Sequence, residues 1–201
     1  MPEALLIEGI ELPRLGTGAV PRSEGLHLSA IIRDLMVKSG LKTPKSSWNM
    51  PVTQSVGFIW EETLFLSWEE RLSHAFASLL GKSMGWYSTG ELFLEGITMT
   101  PDGYDPDNGV LQEAKCTWKK VTNQPIDNFS WMTQTKAYCK ALRIDRVMFH
   151  VLYLNGDYKQ SGPIYHPWLI TFKPHEIEEN WNMLTNHAAY MREKDGGTCH
   201  A

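Results

Sequence analysis

The segment "TPDGYDPDNGVLQEAKCTW", residues 100–118, joins a loop rich in Asp and Gly to an apolar strand that Glu113 and Lys115 interrupt. Side chains alternate between the two faces of a strand, so Glu113 and Lys115 point the same way. The turn before the strand can bring Asp102 beside Glu113. The segment therefore predicts a β-strand with two carboxylates and one ammonium gathered beside it.

Two carboxylates next to a lysine are typical of a site for a hard divalent cation. Mg²⁺ takes oxygen ligands, keeps several waters, and favours one or two protein carboxylates together with substrate phosphate oxygens. The backbone carbonyl of Ala114 can add a ligand, and Lys115 can orient an attacking water or offset charge in the transition state. The alternative interpretation is an ordinary ion pair between Glu113 and Lys115 on an edge strand.

Working outward, the rest of the chain alternates between helical and strand patterns. Helical patterns cover residues 27–40, 52–80 (as one long helix or two), 128–143 and 174–197. Strand patterns cover residues 91–100, 109–118, 146–154 and 165–172, with a loop at 101–108. This order predicts an α/β fold with a mixed central sheet flanked by helices.

The length of 201 residues favours a single domain over residues 1–201. We expect an N-terminal helical part at about 20–85, a catalytic sheet core at about 90–172 and a C-terminal helix at about 174–194. No apolar run approaches the length of a membrane span, and the start lacks the pattern of a secretory signal. Three cysteines without paired spacing argue against a disulfide framework. These features favour a cytoplasmic protein without membrane contact.

Positive charge is concentrated after the strand. Residues 115–146 contain seven basic and two acidic residues, a net charge of +5, whereas the whole chain carries −4. A basic stripe on an acidic protein suits a polyanion held at one place, although a solvated helix face is the alternative. The candidate phosphate contacts within it are Lys119, Lys120, Lys136 and Lys140, each of which could equally be a solvated lysine.

Two helical pairs extend the candidate site. Gly57 and Glu61 are four residues apart, as are Gln134 and Tyr138, so each pair shares a helix face. Glu61 is a candidate third carboxylate for the metal, and Gln134 is a candidate ligand of a phosphate or of the metal-bound water. The alternatives are a solvated glutamate and an ordinary polar stripe. Trp60, Trp118 and Trp131 lie beside the candidate site, where an aromatic can stack on a nucleic-acid base, although core packing is the commoner use of each.

The sequence resembles a known group of enzymes through these motifs. "TPDG…QEAK" resembles the core of the PD-(D/E)XK nuclease superfamily, with Asp102, Glu113 and Lys115 at the signature positions. "QTKAY" resembles the Gln-x-x-x-Tyr motif of RecB-like nucleases. The order of "GFIWE", "TPDG" and "EAKC" is most similar to the lambda-type phage exonucleases, also called YqaJ-like viral recombinases.

The resemblance implies a restriction-endonuclease-like core and a Mg²⁺-dependent 5′→3′ exonuclease on double-stranded DNA ends, with Mn²⁺ as a substitute. It implies that Arg22 and Ser29, seven residues apart, hold a 5′-phosphate, and that Tyr138 supports its helix and contacts DNA. It also implies a phage-encoded protein that acts in the host cytoplasm in DNA recombination, a homo-trimer around DNA and a single-strand annealing partner.

Some relatives of RecB-like type hold an iron–sulfur cluster with four cysteines. The three scattered cysteines of this chain lead us to expect no such cluster. Two other functions stay open at this point. One is a structure-specific or restriction-type endonuclease of the same superfamily, and the other is a non-catalytic DNA-binding or scaffold protein with this fold.

Overall fold

A five-stranded mixed sheet organises the chain, with strand order β1-β7-β6-β5-β4. The computed structural model describes residues 3–6, 23–42, 51–68, 72–81, 83–155 and 163–196. The strands are β1 Glu3–Leu6, β2 Leu92–Leu94, β3 Ile97–Met99, β4 Gly103–Asp105, β5 Val110–Thr117, β6 Arg146–Tyr153 and β7 Ile164–Thr171. The helices are α1 Leu28–Lys38, α2 Pro51–Ser67, α3 Ser73–Leu80, α4 Phe129–Leu142 and α5 Pro174–Gly196. The predicted α/β class with a mixed sheet is confirmed.

The pairing of β5 places the site. β5 runs parallel to β6 along its whole length, and α4 forms the crossover between them. On its other side, β5 pairs antiparallel with β4 only at Val110, Leu111 and Gln112. Beyond Gln112, no described strand pairs with this edge of β5. Residues 113–117 therefore have a backbone edge that is open to other groups.

Helices cover both faces of the sheet. One apolar cluster joins α1, α4 and α5 to the face that carries Leu111 and Phe149. The other joins α2 and α3 to the face that carries Val110 and Met148. Opposite faces of β5 thus point into different clusters, as the alternation of strand side chains requires. Glu113 shares its face with Leu111, toward α4.

The structure differs from the sequence prediction in three places. Residues 91–100 form a hairpin of β2 and β3 instead of one strand, because Glu95 and Gly96 both have positive φ, at 49° and 78°. Two such residues make the tight turn that reverses a hairpin. The predicted loop 101–108 contains β4, which pairs with β5. β1, which the patterns missed, pairs antiparallel with β7.

The helical regions follow the sequence closely. The region 52–80 forms two helices, α2 and α3, so the second of the two alternatives is correct. α5 packs on the core through Trp181, Leu184 and Ala188, which are all buried. None of the described helices is both long enough and apolar enough to cross a bilayer.

Candidate active site

The loop before β4 fixes Asp102 against the open edge of β5. One carboxylate oxygen of Asp102, Oδ2, accepts a hydrogen bond from the backbone N–H of Ala114 at 2.8 Å. The indole N–H of Trp86 donates to the carbonyl of Asp102 at 3.1 Å. A Cβ at Gly103 would lie 2.2 Å from that indole nitrogen, so only glycine allows this approach. The Pro-Asp-Gly turn thus holds the Asp102 carboxylate beside the strand, as predicted.

Glu113 and Lys115 lie next to this aspartate. The Glu113 side chain is completely buried, and the Lys115 ammonium donates a hydrogen bond to its Oε1. The second oxygen of Glu113, Oε2, is buried and has no hydrogen-bond partner among the described residues. Buried polar atoms are nearly always paired in folded proteins. The orphaned oxygen therefore marks a place where a further group is expected to bind.

The electrostatics of the three side chains are in conflict. Burial raises the pKa of Glu113 to about 8, and the charges of Asp102 and Glu61 add to the effect against the opposing Lys115. Burial also raises the pKa of Asp102, against the lowering effects of Lys115 and the Ala114 N–H. Burial alone lowers the pKa of Lys115, but the charges of Glu113 and Asp102 outweigh it and the pKa is raised. One ammonium faces two buried carboxyl groups, so ionisation of both carboxyls would leave an excess of negative charge.

An open pocket of about 290 Å³ lies over these groups. Six elements or loops supply its walls, and most of the side chains predicted from the sequence are among them, whereas Glu113 is buried beneath and does not line the pocket. The pocket is lined by Ser29 from α1, Gly57 and Glu61 from α2, residues 98–99 from β3, Asp102 from the loop before β4, Ala114 and Lys115 from β5, and Gln134 and Tyr138 from α4. His27, Thr100 and Cys116 complete the inner wall with neighbouring apolar residues. The spacing of four residues in α2 and in α4 therefore brings both pairs to the site.

Gln134 and Tyr138 are joined in a short chain of hydrogen bonds. The Gln134 amide donates to the Tyr138 hydroxyl at 2.7 Å, and that hydroxyl donates to the carbonyl of Thr100 at 3.0 Å. Tyr138 is only 3 % exposed. Its hydroxyl ties α4 to the start of the Asp102 loop, which agrees with the predicted support of the helix. Its predicted contact with DNA stays a prediction.

The residues present fit a small divalent cation. Among the described residues, no group of three or more His, Cys, Asp or Glu side chains is placed to hold a metal ion. Mg²⁺ needs only one or two protein carboxylates when waters and phosphate oxygens complete its shell. Asp102 and the orphaned oxygen of Glu113 meet that need. The N–H and C=O of one strand residue point to the same edge, so the Ala114 carbonyl also faces the open edge, beside Asp102.

The structure places the remaining candidates elsewhere. Lys119 and Lys120 are exposed in the turn that follows β5. Lys136 lies on α4 with its ammonium 5.4 Å from the ring centroid of Phe172, and it does not line the pocket. Arg22 lies outside the described residues, so its pairing with Ser29 stays a prediction.

The sequence reasoning missed the residues that hold the Asp102 loop in place. Trp86 contacts the Asp102 carbonyl, and the buried carboxylate of Asp105 accepts hydrogen bonds from Gly85 at 2.9 Å and from the Asn108 amide at 2.7 Å. Gly103 was the one available signal, because a glycine after Pro-Asp can indicate a close approach of another group. Nothing in the sequence showed that this group would be Trp86.

Comparisons with known proteins support the fold. No protein-family model matches the chain, and no curated protein matches it. Among solved structures, LHK-Exo in complex with dAMP has a TM-score of 0.51 at 14 % identity, over 85 % of this chain and 89 % of that chain. A second structure of LHK-Exo, an alkaline exonuclease from Laribacter hongkongensis, has a TM-score of 0.44 at 14 % identity, over 84 % and 85 %. A phage-related exonuclease from Haemophilus somnus has a TM-score of 0.45 at 12 % identity, over 80 % and 78 %.

The match to the dAMP complex shows that this chain shares the fold of LHK-Exo. The resemblance stated from the motifs is thereby confirmed at the level of the fold, as a restriction-endonuclease-like arrangement. A shared fold does not by itself establish a shared activity, because function depends on the site.

Proposed function

We propose that this chain is a Mg²⁺-dependent deoxyribonuclease that hydrolyses phosphodiester bonds, acting as a 5′→3′ exonuclease on double-stranded DNA ends. One observation carries the proposal: two buried carboxylates and one ammonium meet at an open strand edge, where one oxygen of Glu113 has no described partner. A structural ion pair would have no need of the second carboxylate or of the pocket above it.

Each residue has a role in this reaction. Asp102, Glu113 and the Ala114 carbonyl would hold Mg²⁺, with Glu61 as a further ligand, direct or through water. The cation would supply Lewis-acid activation of the phosphate and a water of lowered pKa. The Lys115 side chain is 16 % exposed and lines the pocket, and its ammonium would orient that water and offset charge developing on the phosphate. Gln134 would position the water or a phosphate oxygen from α4.

The direction of cleavage rests on the α1 end of the pocket. Ser29 lies in the first turn of α1, lines the pocket, and has no acidic neighbour in that turn. The N-terminus of a helix favours a bound anion, because its backbone N–H groups are not used within the helix. Ser29 would hold a terminal 5′-phosphate together with Arg22. LHK-Exo carries the name alkaline exonuclease and was crystallised with dAMP, which agrees with release of nucleotides from an end.

The biological setting in this proposal rests on the resemblance of the sequence motifs. A phage-related exonuclease is among the similar structures, although its TM-score of 0.45 lends no weight. The role in recombination, the homo-trimer and the single-strand annealing partner remain predictions from the resemblance.

Three DNA substrates test the proposal with the purified chain and Mg²⁺: a linear duplex with 5′-phosphates, the same duplex without them, and a covalently closed circle. Lys115→Ala tests the site, and Lys173→Ala, which changes an exposed lysine outside the pocket, is the matched control. We expect degradation of the phosphorylated linear duplex, loss of this activity in Lys115→Ala, and normal activity in Lys173→Ala.

The other outcomes separate the alternatives. Cleavage of the closed circle would replace the exonuclease with an endonuclease of the same fold. Equal degradation with and without the 5′-phosphate would remove the role of Ser29 and Arg22. Absence of cleavage together with absence of Mn²⁺ binding in calorimetry would contradict the active site and favour a scaffold protein.

A further inference from the structure

The turn that follows β5 presents an exposed aromatic side chain, and two lysines follow it in the sequence. Trp118 is 52 % exposed, and Lys119 and Lys120 follow it on the surface. We call these three residues the Trp118 platform. Trp118 does not belong to either apolar cluster, whereas Trp60 is buried and donates its indole N–H to the carbonyl of His150 at 2.9 Å.

The backbone of the Trp118 platform is held in place. The N–H of Leu154 donates to the carbonyl of Thr117 at 2.9 Å, and the Asn155 amide donates to the carbonyl of Trp118 at 2.8 Å. The N–H of Lys119 donates to the Thr117 hydroxyl at 3.1 Å. A large aromatic ring that stays exposed to water does not contribute the free energy that its burial in the core would provide. An indole kept exposed on an anchored backbone therefore points to a surface role.

From these observations we infer that the Trp118 platform binds single-stranded DNA, with a base stacked on Trp118 and neighbouring phosphates contacted by Lys119 and Lys120. Aromatic rings beside basic side chains are the usual means of binding single strands without sequence preference. Residues 114–126 contain three lysines and no acidic residue, and Asp127 lies with Lys119 around a small cavity beside the turn. The segment therefore keeps a positive charge that suits a polyanion. The chemistry favours a nucleic acid strand over an apolar protein partner.

The position of the platform links it to the candidate site. Trp118 directly follows Thr117, the last residue of β5, and Cys116 in the same strand lines the pocket. A strand advances about 3.4 Å per nucleotide, so a base stacked on Trp118 would lie within a few nucleotides of the reacting phosphate. The platform would thus hold the strand whose phosphates pass through the pocket. This assignment of the strand rests on the proposed function, whereas the binding itself does not.

The test measures binding of fluorescein-labelled dT12 by anisotropy, without divalent cation so that no cleavage occurs. Trp118→Ala should weaken binding by about 5- to 150-fold, the range that loss of one stacked base produces. Trp118→Phe should retain most of the affinity, because a phenyl ring still stacks. Phe93→Ala, which removes another exposed aromatic in β2, is the matched control and should bind normally.

The salt dependence tests the two lysines. Lys119→Gln and Lys120→Gln should each reduce the slope of log affinity against log salt by about 0.7, while Trp118→Ala should leave it unchanged. Unaltered dT12 affinity in Trp118→Ala, or an equal loss in Phe93→Ala, would overturn the inference. A Trp118→Ala variant that loses affinity only for a blunt duplex, and not for dT12, would also overturn the inference.

A parallel cleavage assay on linear duplex separates this inference from the proposed function. If no DNA is cleaved but Trp118→Ala still loses dT12 affinity, the proposed function fails and the binding surface stands. If DNA is cleaved while Trp118→Ala binds dT12 normally, the proposed function stands and the platform fails.

Discussion

Both faces of β5 carry buried polar side chains, but they differ in hydrogen bonding. Both polar atoms of the Gln112 side chain have partners, whereas Glu113 Oε2 has none among the described residues. Toward α2, the Gln112 amide donates to the carbonyl of Gly85 at 3.0 Å and its oxygen lies 2.8 Å from His150 Nε2. His150 Nδ1 lies 2.7 Å from the Tyr165 hydroxyl. In this Gln112–His150–Tyr165 series of hydrogen bonds, every side-chain polar atom has a partner if His150 donates from Nε2 and accepts at Nδ1. Toward α4, Glu113 has an orphaned oxygen and too few positive neighbours.

The difference agrees with a structural role for the Gln112 face and with the catalytic role that we propose for the Glu113 face. Burial lowers the pKa of His150 to about 3, so this network contains no charge at neutral pH. The Glu113 face holds two carboxylates whose pKa values burial raises, and only one ammonium to offset them. Strain of this kind persists at functional sites because a ligand relieves it. The predictions below separate the two faces.

The largest expected effect is on catalysis. Lys115→Ala should reduce kcat for DNA cleavage by about 10³-fold, the scale reported for loss of one group that stabilises the transition state. Gln112→Leu, on the other face, should leave kcat per folded molecule nearly unchanged. Single-turnover cleavage of linear duplex, normalised to the folded fraction by circular dichroism, measures both. Similar losses in the two variants would erase the distinction between the faces.

The next effect concerns the cation. Mg²⁺ or Mn²⁺ should stabilise the wild-type fold, by about 2.7 kcal/mol when the free cation is 100 times its Kd. Asp102→Asn and Glu113→Gln should remove most of this gain, since each removes a charged oxygen ligand. His150→Gln should keep it. Thermal melts with and without cation measure the shift in Tm, and a gain that survives in Glu113→Gln would contradict the assigned ligands.

Without cation, mutations on the two faces should change the free energy of unfolding in opposite directions. Gln112→Leu leaves the Gly85 carbonyl and a His150 nitrogen without their partner, which should cost about 1–3 kcal/mol. Glu113→Gln should instead stabilise the metal-free protein by about 1–3 kcal/mol near pH 8, because ionisation of a carboxyl with a raised pKa opposes folding. The Lys115 ammonium then remains balanced by Asp102 alone.

Urea denaturation in the presence of a chelator measures both free energies of unfolding. Glu113 gains a proton on folding between pH 4.5 and about 8, so wild-type stability relative to Glu113→Gln should fall as pH rises through this window. A Glu113→Gln variant that is less stable than wild type at pH 8 would show that the Glu113–Lys115 pair is structural.

Much of the site was predictable because its signals are local. Alternation in "VLQEAKCT" placed Glu113 and Lys115 on one face, and the spacing of four residues placed Glu61 and Gln134 toward the pocket. The open edge of β5 was not predictable, because it depends on where β4 stops pairing. The orphaned state of Glu113 depends on packing from several elements. Neither the open edge of β5 nor the unpaired oxygen of Glu113 can be predicted from the local sequence around these residues.

The fold was predictable where the hydrophobic period was sustained and failed where segments were short. β6, β7 and α4 have eight or more residues and followed their patterns. β2, β3 and β4 have three residues each, too few for alternation to reveal a reversal. The Glu95–Gly96 turn lacks the Asn or Asp that would have signalled a hairpin. β1 is defined by its pairing with β7 across the chain, which no local pattern records.

The most gradual effect is a dependence of stability on acid pH from the His150 face. The folded protein keeps His150 neutral down to about pH 3, whereas the unfolded chain takes up a proton near pH 6.5. The contribution of His150 to stability should therefore be complete above pH 6.5 and decline as pH falls toward 3, by up to about 1.4 kcal/mol per pH unit. His150→Gln should flatten this slope, and His175→Gln, at an exposed position in α5, should not.

The acid slope has the opposite sign to the one from Glu113, so the two faces limit stability from opposite sides of the pH range. Urea denaturation from about pH 9 to pH 4, with and without Mg²⁺, distinguishes them, because the cation should relieve only the loss on the alkaline side. An acid slope that persists in His150→Gln would place its origin outside the Gln112–His150–Tyr165 chain. An acid slope that Mg²⁺ abolishes would mean that the two faces are coupled through β5 and do not act separately.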